Sequence, residues 1–506
     1  MNAIELPRLS KSKFTKGLQC PKLLWWSVHE PTAPELVPDA SQQRVFARGT
    51  RVGELARSHV PGGVLIDLPY MQIRERVAAT SRALAAGAPA IYEASFLEDG
   101  VFVSVDILER RGTGFVLTEV KSTLGVKEAH LADVAIQLHV VRSAGLAVRR
   151  AEVMHLNREC RFPDLSNLFV RAPVTEQLHA LLLDAPAQIA ALRDMLAGAI
   201  PEVPTGAHCT APYECPFRER CCPPLPDHHV STLYSIRAQR VEKLLAQGCV
   251  TIHDLPPDFT ASAAAMRQVR SVRAGEPIVE RGLRSALSTL RPPLAYLDFE
   301  TVNPAIPIWP GCAPYDHVPV QFSCHVQQQD GSLVHHAWLA DGPADPRRPL
   351  AEALLDACAG ARTVVAYYAS FERGCIQKLA NALPDLASPL RDLAARIEDL
   401  HPVVRDHVYH PEFGGSFGLK SVLPALCSGL GYDDLEIQDG DTASTSLEAL
   451  LLDADAYADA DRRALRDALL RYCERDTLAM VRLHEQLAVM ADAGAVRHSR
   501  HPIRPS

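Results

Sequence analysis

Two acids sit inside an apolar run, LAYLDFETV, at residues 294–302. Side chains alternate along a strand, so Asp298 and Glu300 share a face. There, burial and mutual repulsion both oppose ionisation unless a cation lies between them. Further acids follow in order: Glu372 in YYASFE, and Asp476 in YCERD, four residues past Tyr472 and on the same helical face. A second set lies earlier. Asp106 closes the apolar run VFVSVDILE, Glu119 and Lys121 share a face in GFVLTEVKS, and Gln137 follows on a helix. Asp-x12-Glu-x-Lys across a hairpin suits metal-dependent phosphodiester cleavage. The carboxylates would hold Mg²⁺ or Mn²⁺, and the lysine would orient water or offset developing negative charge.

Thiols form a third group. Cys209, Cys215 and Cys221, with Cys222 adjacent, lie in a Pro-rich stretch, PEVPTGAHCTAPYECPFRERCCPPLPDHH, and Cys20 stands far upstream. Such a loop is a poor place for core thiols, so a soft metal is the expectation. The spacing is wider than the usual pairs of a zinc finger. The remaining cysteines read as core or surface thiols. His401, His407 and His410 have no regular ligand spacing and read as a loop.

The elements that must position these residues alternate in type, which is the mark of an α/β chain. Helices are expected around KSKFTKGLQCPKLLWW and SQQRVFARGTRVGELARSHV, then strands at AIYEASF, VFVSVDILE and GFVLTEVKS. A helix over 128–143, a strand at AEVMHL and a long helix over 174–197 follow. Beyond the Pro- and Cys-rich stretch, short helices fill 231–290. From 291 a new α/β unit begins, with a second strand at GSLVHHAWLA, a third at ARTVVAYYA and a helical end. The 506 residues are enough for two or three cores. A net charge of −8 excludes a protein coated in basic surface, although a local basic groove remains open to it. Lys11, Lys13, Lys16 and Lys22 read as a solvated terminus. With no signal peptide and no span long and apolar enough for a membrane, a cytoplasmic protein is expected. Its 13 cysteines are then not disulfides.

Asp106, Glu119 and Lys121 resemble the core pattern of the PD-(D/E)xK nucleases, in particular the RecB-like branch. That resemblance implies Glu93, in IYEASF, and Glu54, in RVGELAR, as further metal-site acids. It makes Gln137 the start of a Q-x3-Y motif whose Tyr is Val141 here. One early and three late cysteines resemble the iron–sulfur RecB-like nucleases. The implication is a 4Fe–4S cluster on Cys20, Cys209, Cys215 and Cys221 that staples the ends of the domain. Zinc is the alternative, and Cys222 can replace Cys221. The D-x-E, acid, Y-x3-D order resembles the DEDD 3′–5′ exonucleases of the RNase H-like fold. It implies that Asp298, Glu300, Glu372 and Asp476 bind two divalent ions while Tyr472 positions the water. That family usually has Asp where Glu372 stands, and Asp399 is a reserve acid. The whole layout, with FGLKSVLPAL and its Phe417, Leu419 and Lys420, is similar to a bacterial family filed as a domain of unknown function.

The expected architecture is therefore a restriction-endonuclease-like domain over 1–222 and a helical linker over 223–290, similar to a helix–hairpin–helix at LAQGCVTIHDL. An RNase H-like domain over 291–488 and a loose tail over 489–506 complete it. The expected function is a two-site, metal-dependent nuclease cutting DNA, as a 3′–5′ exonuclease on single-stranded ends, with Trp25 and Trp26 available for base stacking. The alternatives are a nucleic-acid-binding protein whose sites no longer cleave, and an RNA-trimming enzyme.

Overall fold

The computed structural model of the protein describes residues 8–328, 330–453 and 457–499. It is a mixed α/β structure that divides into two compact units. The first runs to Pro224 and takes in Pro304–Tyr315; the second holds Leu225–Asn303 and continues from Asp316.

The first unit opens with β1 (Leu9–Ser10), α1 (Lys11–Gln19), α2 (Pro21–His29), α3 (Ala40–Ser58), β2 (Val64–Leu65) and α4 (Ile73–Ala85). The hairpin strands β3 (Ala90–Glu98), β4 (Val101–Arg111) and β5 (Gly114–Lys121) lead to α5 (Glu128–Ser143) and β6 (Val148–Leu156). Then come β7 (Phe169–Pro173), α6 (His179–Ala197) and the short α7 (Arg218–Cys221). Sheet order is β2-β3-β4-β5-β6-β7, with β1 joined to β4. The meander β3-β4-β5 is antiparallel, and β5 and β6 are parallel across the α5 crossover. One core packs α5 and α6 onto the sheet through Val134, Leu138, Ile189 and Leu192. Another packs Ala56 of α3 against Tyr92, Ile107 and Met154. The apolar periodicity of each segment requires these partners. Three short strands, β1, β2 and β7, lie outside the sequence expectation, being too brief for a periodic signal.

The second unit begins with α8 (Ala238–Ala246), α9 (Ala263–Ala274), β8 (Ile278–Val279) and α10 (Leu283–Leu287). Its sheet strands are β9 (Leu294–Val302), β10 (Val318–Gln327), β11 (Leu333–Leu339), β12 (Thr363–Ala366) and β13 (Ile397–Asp399). Between and after them come α11 (Arg347–Ala357), α12 (Ser370–Ala382), α13 (Ala387–Ala395), α14 (Leu400–His407), β14 (Val408–Tyr409), α15 (Leu419–Leu426), α16 (Gly440–Leu452) and α17 (Asp459–Ser499). The sheet runs β11-β10-β9-β12-β13, so the strand with the two acids is central. Ala295, Leu297 and Phe299 of β9 face α11, α12 and α13, while Leu294 and Tyr296 face residues of α14, α15 and α17.

Four expectations change. The stretch 223–290 is no separate linker, because Val230, Leu244, Val269 and Leu283 are buried in one core with α14 and α17. In the region likened to a helix–hairpin–helix, α8 and the Gly248 turn are followed only by a 3₁₀ turn, Ile252–Asp254. The segment over 489–499 continues α17 rather than forming a loose tail, and 500–506 lie outside the described residues. Finally, Pro304–Tyr315, inside the expected second domain, joins the first unit, where Ala305 packs with Val52 and Leu156 and the Tyr315 hydroxyl donates to the Ser122 carbonyl.

Candidate functional site

In the second unit, β9 carries Asp298 and Glu300 and α17 carries Asp476. One carboxylate oxygen from each lies within 4.8 Å of the others, a spacing one cation can bridge. Alternation along β9 and the packing of α17 on that face bring together residues more than 170 positions apart in sequence. Burial pushes Asp298 well above the usual carboxylate range, and Asp476, Glu300 and Glu372 add to the push. Glu300 is raised well above as well, by burial and then by Asp476, against the pull of Lys420. Asp476 rises to about 6 through burial, offset by the Tyr432 hydroxyl that donates to its Oδ1 at 2.5 Å and by Lys420. The Lys420 ammonium donates to the Tyr472 hydroxyl at 3.1 Å and to the Gln438 carbonyl at 2.5 Å. Burial, with Asp476 and Glu300 beside it, raises the Tyr472 phenol far above neutrality, so it stays a protonated donor. Three acids raised together form an anionic pocket short of positive charge, and an all-oxygen donor set fits Mg²⁺ or Mn²⁺.

Glu372, in the first turn of α12, stands outside that three-acid set. It is only 3% exposed, its Oε2 has no hydrogen-bond partner, and burial pushes its carboxyl up to about 7. A buried oxygen left bare in this way calls for a partner. Asp399 has another duty. It accepts the backbone N–H groups of Tyr368, Ala369 and His401, so it caps α14 and holds the turn before α12, with Tyr368 at φ 65°. Phe417 is buried in the core, whereas Lys420 belongs to the pocket.

In the first unit, Glu119 is buried on β5 and all its contacts are cationic or neutral donors. Lys11 reaches Oε1 at 2.7 Å, Lys121 reaches Oε1 at 2.8 Å, and Gln137 donates to Oε2 at 2.6 Å. Burial opposes ionisation of Glu119, and Lys11 and Lys121 outweigh it, holding the carboxyl well below the usual range. Lys121 also pairs with Asp133 at 2.5 Å. Asp106 accepts the Val120 N–H at 2.6 Å, just where the β4–β5 ladder stops at Ile107↔Thr118. Burial, then Glu119, raises Asp106 to about 7. Opposite Asp106, the β3–β4 pairing skips Glu93, whose φ of 59° is left-handed backbone that side chains other than glycine adopt at a cost. Glu93 pairs with Arg57 at 3.1 Å and Arg76 at 3.6 Å and accepts from Ser104.

The residues expected here thus converge, with two changes. Glu54 is exposed on α3 and makes no hydrogen bond or ion pair among the described residues; Arg57, one turn on, is the side chain that reaches the site. Lys11 is no solvated-terminus charge, because β1 pairs with β4, Ser10 caps α1, and the first helical residue is carried to Glu119. Lys11, Asp133 and Tyr432 lie outside the sequence expectation. Only Asp133 had a local signal, standing four residues before Gln137 on one helical face.

Cys20 at the start of α2, Cys209, Cys215 and Cys221 gather in a cluster with Trp26 and Phe217. Burial raises the Cys215 thiol, and the nearness of Cys20, Cys209 and Cys221 adds to the effect. Cys221 faces the other three, whereas Cys222 meets Arg218. Among the described residues, no three of these sulfurs lie within 4.8 Å of one another. A tetrahedral zinc thiolate set needs sulfurs about 3.8 Å apart, given its bond length.

A protein-family model, Domain of unknown function (DUF2779), matches residues 295–418. The match covers Asp298, Glu300 and Glu372 but stops short of Tyr472 and Asp476, and it covers none of β1 to β7. No curated protein matches the chain. No helix among the described residues is long and apolar enough to cross a membrane.

Proposed function

We propose that the protein is a metal-dependent nuclease that hydrolyses DNA, trimming single-stranded ends from the 3′ side at the Asp298–Glu300–Asp476 site. The carrying observation is the convergence of these three carboxylates within 4.8 Å, all with protons held more tightly than usual. Divalent ions bound there would activate water and stabilise the leaving oxygen. Asp298, Glu300 and Asp476 would hold them, with the bare Oε2 of Glu372 as a further ligand. Tyr472, gripped by Lys420, donates its proton toward a water or phosphate oxygen without becoming a base. Tyr368 and Phe371, both exposed beside Glu372, offer faces on which terminal bases stack. In this reading the second unit is an RNase H-like domain and the first a PD-(D/E)xK domain whose four thiols hold a 4Fe–4S cluster.

The experiment is digestion of end-labelled single- and double-stranded DNA and RNA with Mg²⁺ or Mn²⁺. Asp298→Asn is expected to lower cleavage by on the order of 10³-fold, the loss of several kcal/mol of charge stabilisation. Undiminished trimming by that variant would refute the assignment. Preference for RNA ends would transfer the same site to RNA processing.

Lys11 supports a second reading for the first unit alone. Its ammonium already meets Glu119, so the lysines and Gln137 there would bind a backbone phosphate without cutting it. Asp106→Asn that cleaves like wild type but binds DNA as tightly supports binding; lost cleavage supports a second hydrolytic centre.

A further inference from the structure

On β10, Val320, Phe322, Cys324 and Val326 alternate with Gln321, Ser323 and His325, and both faces are buried. The polar face lies against α17. Gln321 donates to the Leu469 carbonyl at 2.9 Å, and Thr477 meets Ser323 at 2.7 Å and His325 Nδ1 at 2.8 Å. His335 on β11 stands directly opposite His325 in the register, and their rings stack 4.5 Å apart. Its Nε2 is engaged by Ser323 at 2.9 Å, and its Nδ1 lies 3.6 Å from Glu474 of α17. One donor atom from each of His325, His335 and Glu474 lies within 4.8 Å of the other two.

We propose that His325, His335 and Glu474 form a zinc site, separate from the three-acid site, that clamps α17 to the β10–β11 edge of the sheet. The donors decide the ion. Two imidazoles and one carboxylate suit a borderline metal such as zinc, while the all-oxygen set on β9 suits Mg²⁺ or Mn²⁺. Each ring is already oriented by a hydroxyl on one nitrogen, Thr477 for His325 and Ser323 for His335, as metal-bound histidines are. The other nitrogen of each, Nε2 of His325 and Nδ1 of His335, makes no hydrogen bond among the described residues. Arg482, whose charge reaches His325, is paired with Glu485 at 2.8 Å. The Glu474 and His335 side chains are 46% and 26% exposed, so the site is open to solvent. Three protein ligands leave a fourth position for water.

The test is zinc uptake by the full chain, stripped with a chelator and dialysed against buffered Zn²⁺. Wild type is expected to hold one equivalent more than His335→Ala or Glu474→Gln, whose binding at this site weakens at least about 100-fold. Asp298→Asn keeps that equivalent, and Cys215→Ser separates it from any zinc held by thiols. Equal uptake by wild type and both variants overturns the site. Glu474 is half exposed on its helix, so Glu474→Gln gives the answer even if His335→Ala does not fold.

Discussion

Glu119 and Asp106 lie side by side and shift in opposite directions, because two ammonium groups pair with the first, while at the second burial and Glu119 outweigh the pull of Lys11 and the Val120 N–H. Lys11 supplies much of that difference. Lys11→Met is expected to raise the Glu119 carboxyl and free its Oε1 for a cation, so the thermal upshift on adding Mn²⁺ should exceed that of wild type. An unchanged upshift would mean that Lys11 and metal do not compete. Glu372 is the mirror case, a buried acid with a bare oxygen, where burial outweighs the pull of Arg373. Glu372→Gln should stabilise the ion-free protein at pH 8 by about 1–3 kcal/mol, since one pK unit is about 1.4 kcal/mol. The same change should weaken Mg²⁺-dependent stabilisation, read by denaturant melts with and without the ion.

Among elements, the turn between β12 and α12 depends on Asp399, which accepts three backbone N–H groups. Asp399→Ala leaves those donors to water and should cost about 1–3 kcal/mol without removing any proposed ligand. A loss of cleavage far beyond that of stability would assign Asp399 to the chemistry instead. In the first unit, α2 and the segment around Cys209–Cys221 have little regular structure to join them: Trp26, Phe217 and Cys20 form the core there, and Arg220 pairs with Glu30 and Glu35. Cys215→Ser should bleach the absorbance near about 400 nm expected of an iron–sulfur core and open the segment to proteolysis. Colourless wild-type protein carrying zinc would support the other metal.

For the molecule as a whole, the raised acids set the pH dependence. Asp106, Asp298, Glu300, Glu372 and Asp476 all keep their protons to higher pH in the folded chain than in the unfolded one. At these five groups the folded state binds more protons than the unfolded, so their contribution to stability falls as pH rises. The loss begins near pH 4, where unfolded carboxyls ionise, and continues through about 6 and 7, where Asp476, Glu372 and Asp106 ionise in the fold. Chelator-treated protein should melt lower at pH 8 than at pH 5, and Mg²⁺ should raise the melting temperature more at pH 8. Equal shifts at both pH values would mean that the ion binds away from these acids.

Local pattern sufficed for much of this. Strand alternation placed Asp298 beside Glu300 and Glu119 beside Lys121, the helix over 128–143 lies where its periodicity has it, and the thiols stood out by their Pro-rich setting. The strand β10 lies outside the sequence expectation, which took GSLVHHAWLA as the second strand of its unit; its apolar and polar residues alternate, but both faces are buried. Long-range placement carried no such mark. That Lys11 meets Glu119, that Glu54 points away, that Tyr432 reaches Asp476, and that His325, His335 and Glu474 converge depends on how sheets and helices pack, and packing joins residues whose separation along the chain is unrelated to their separation in space.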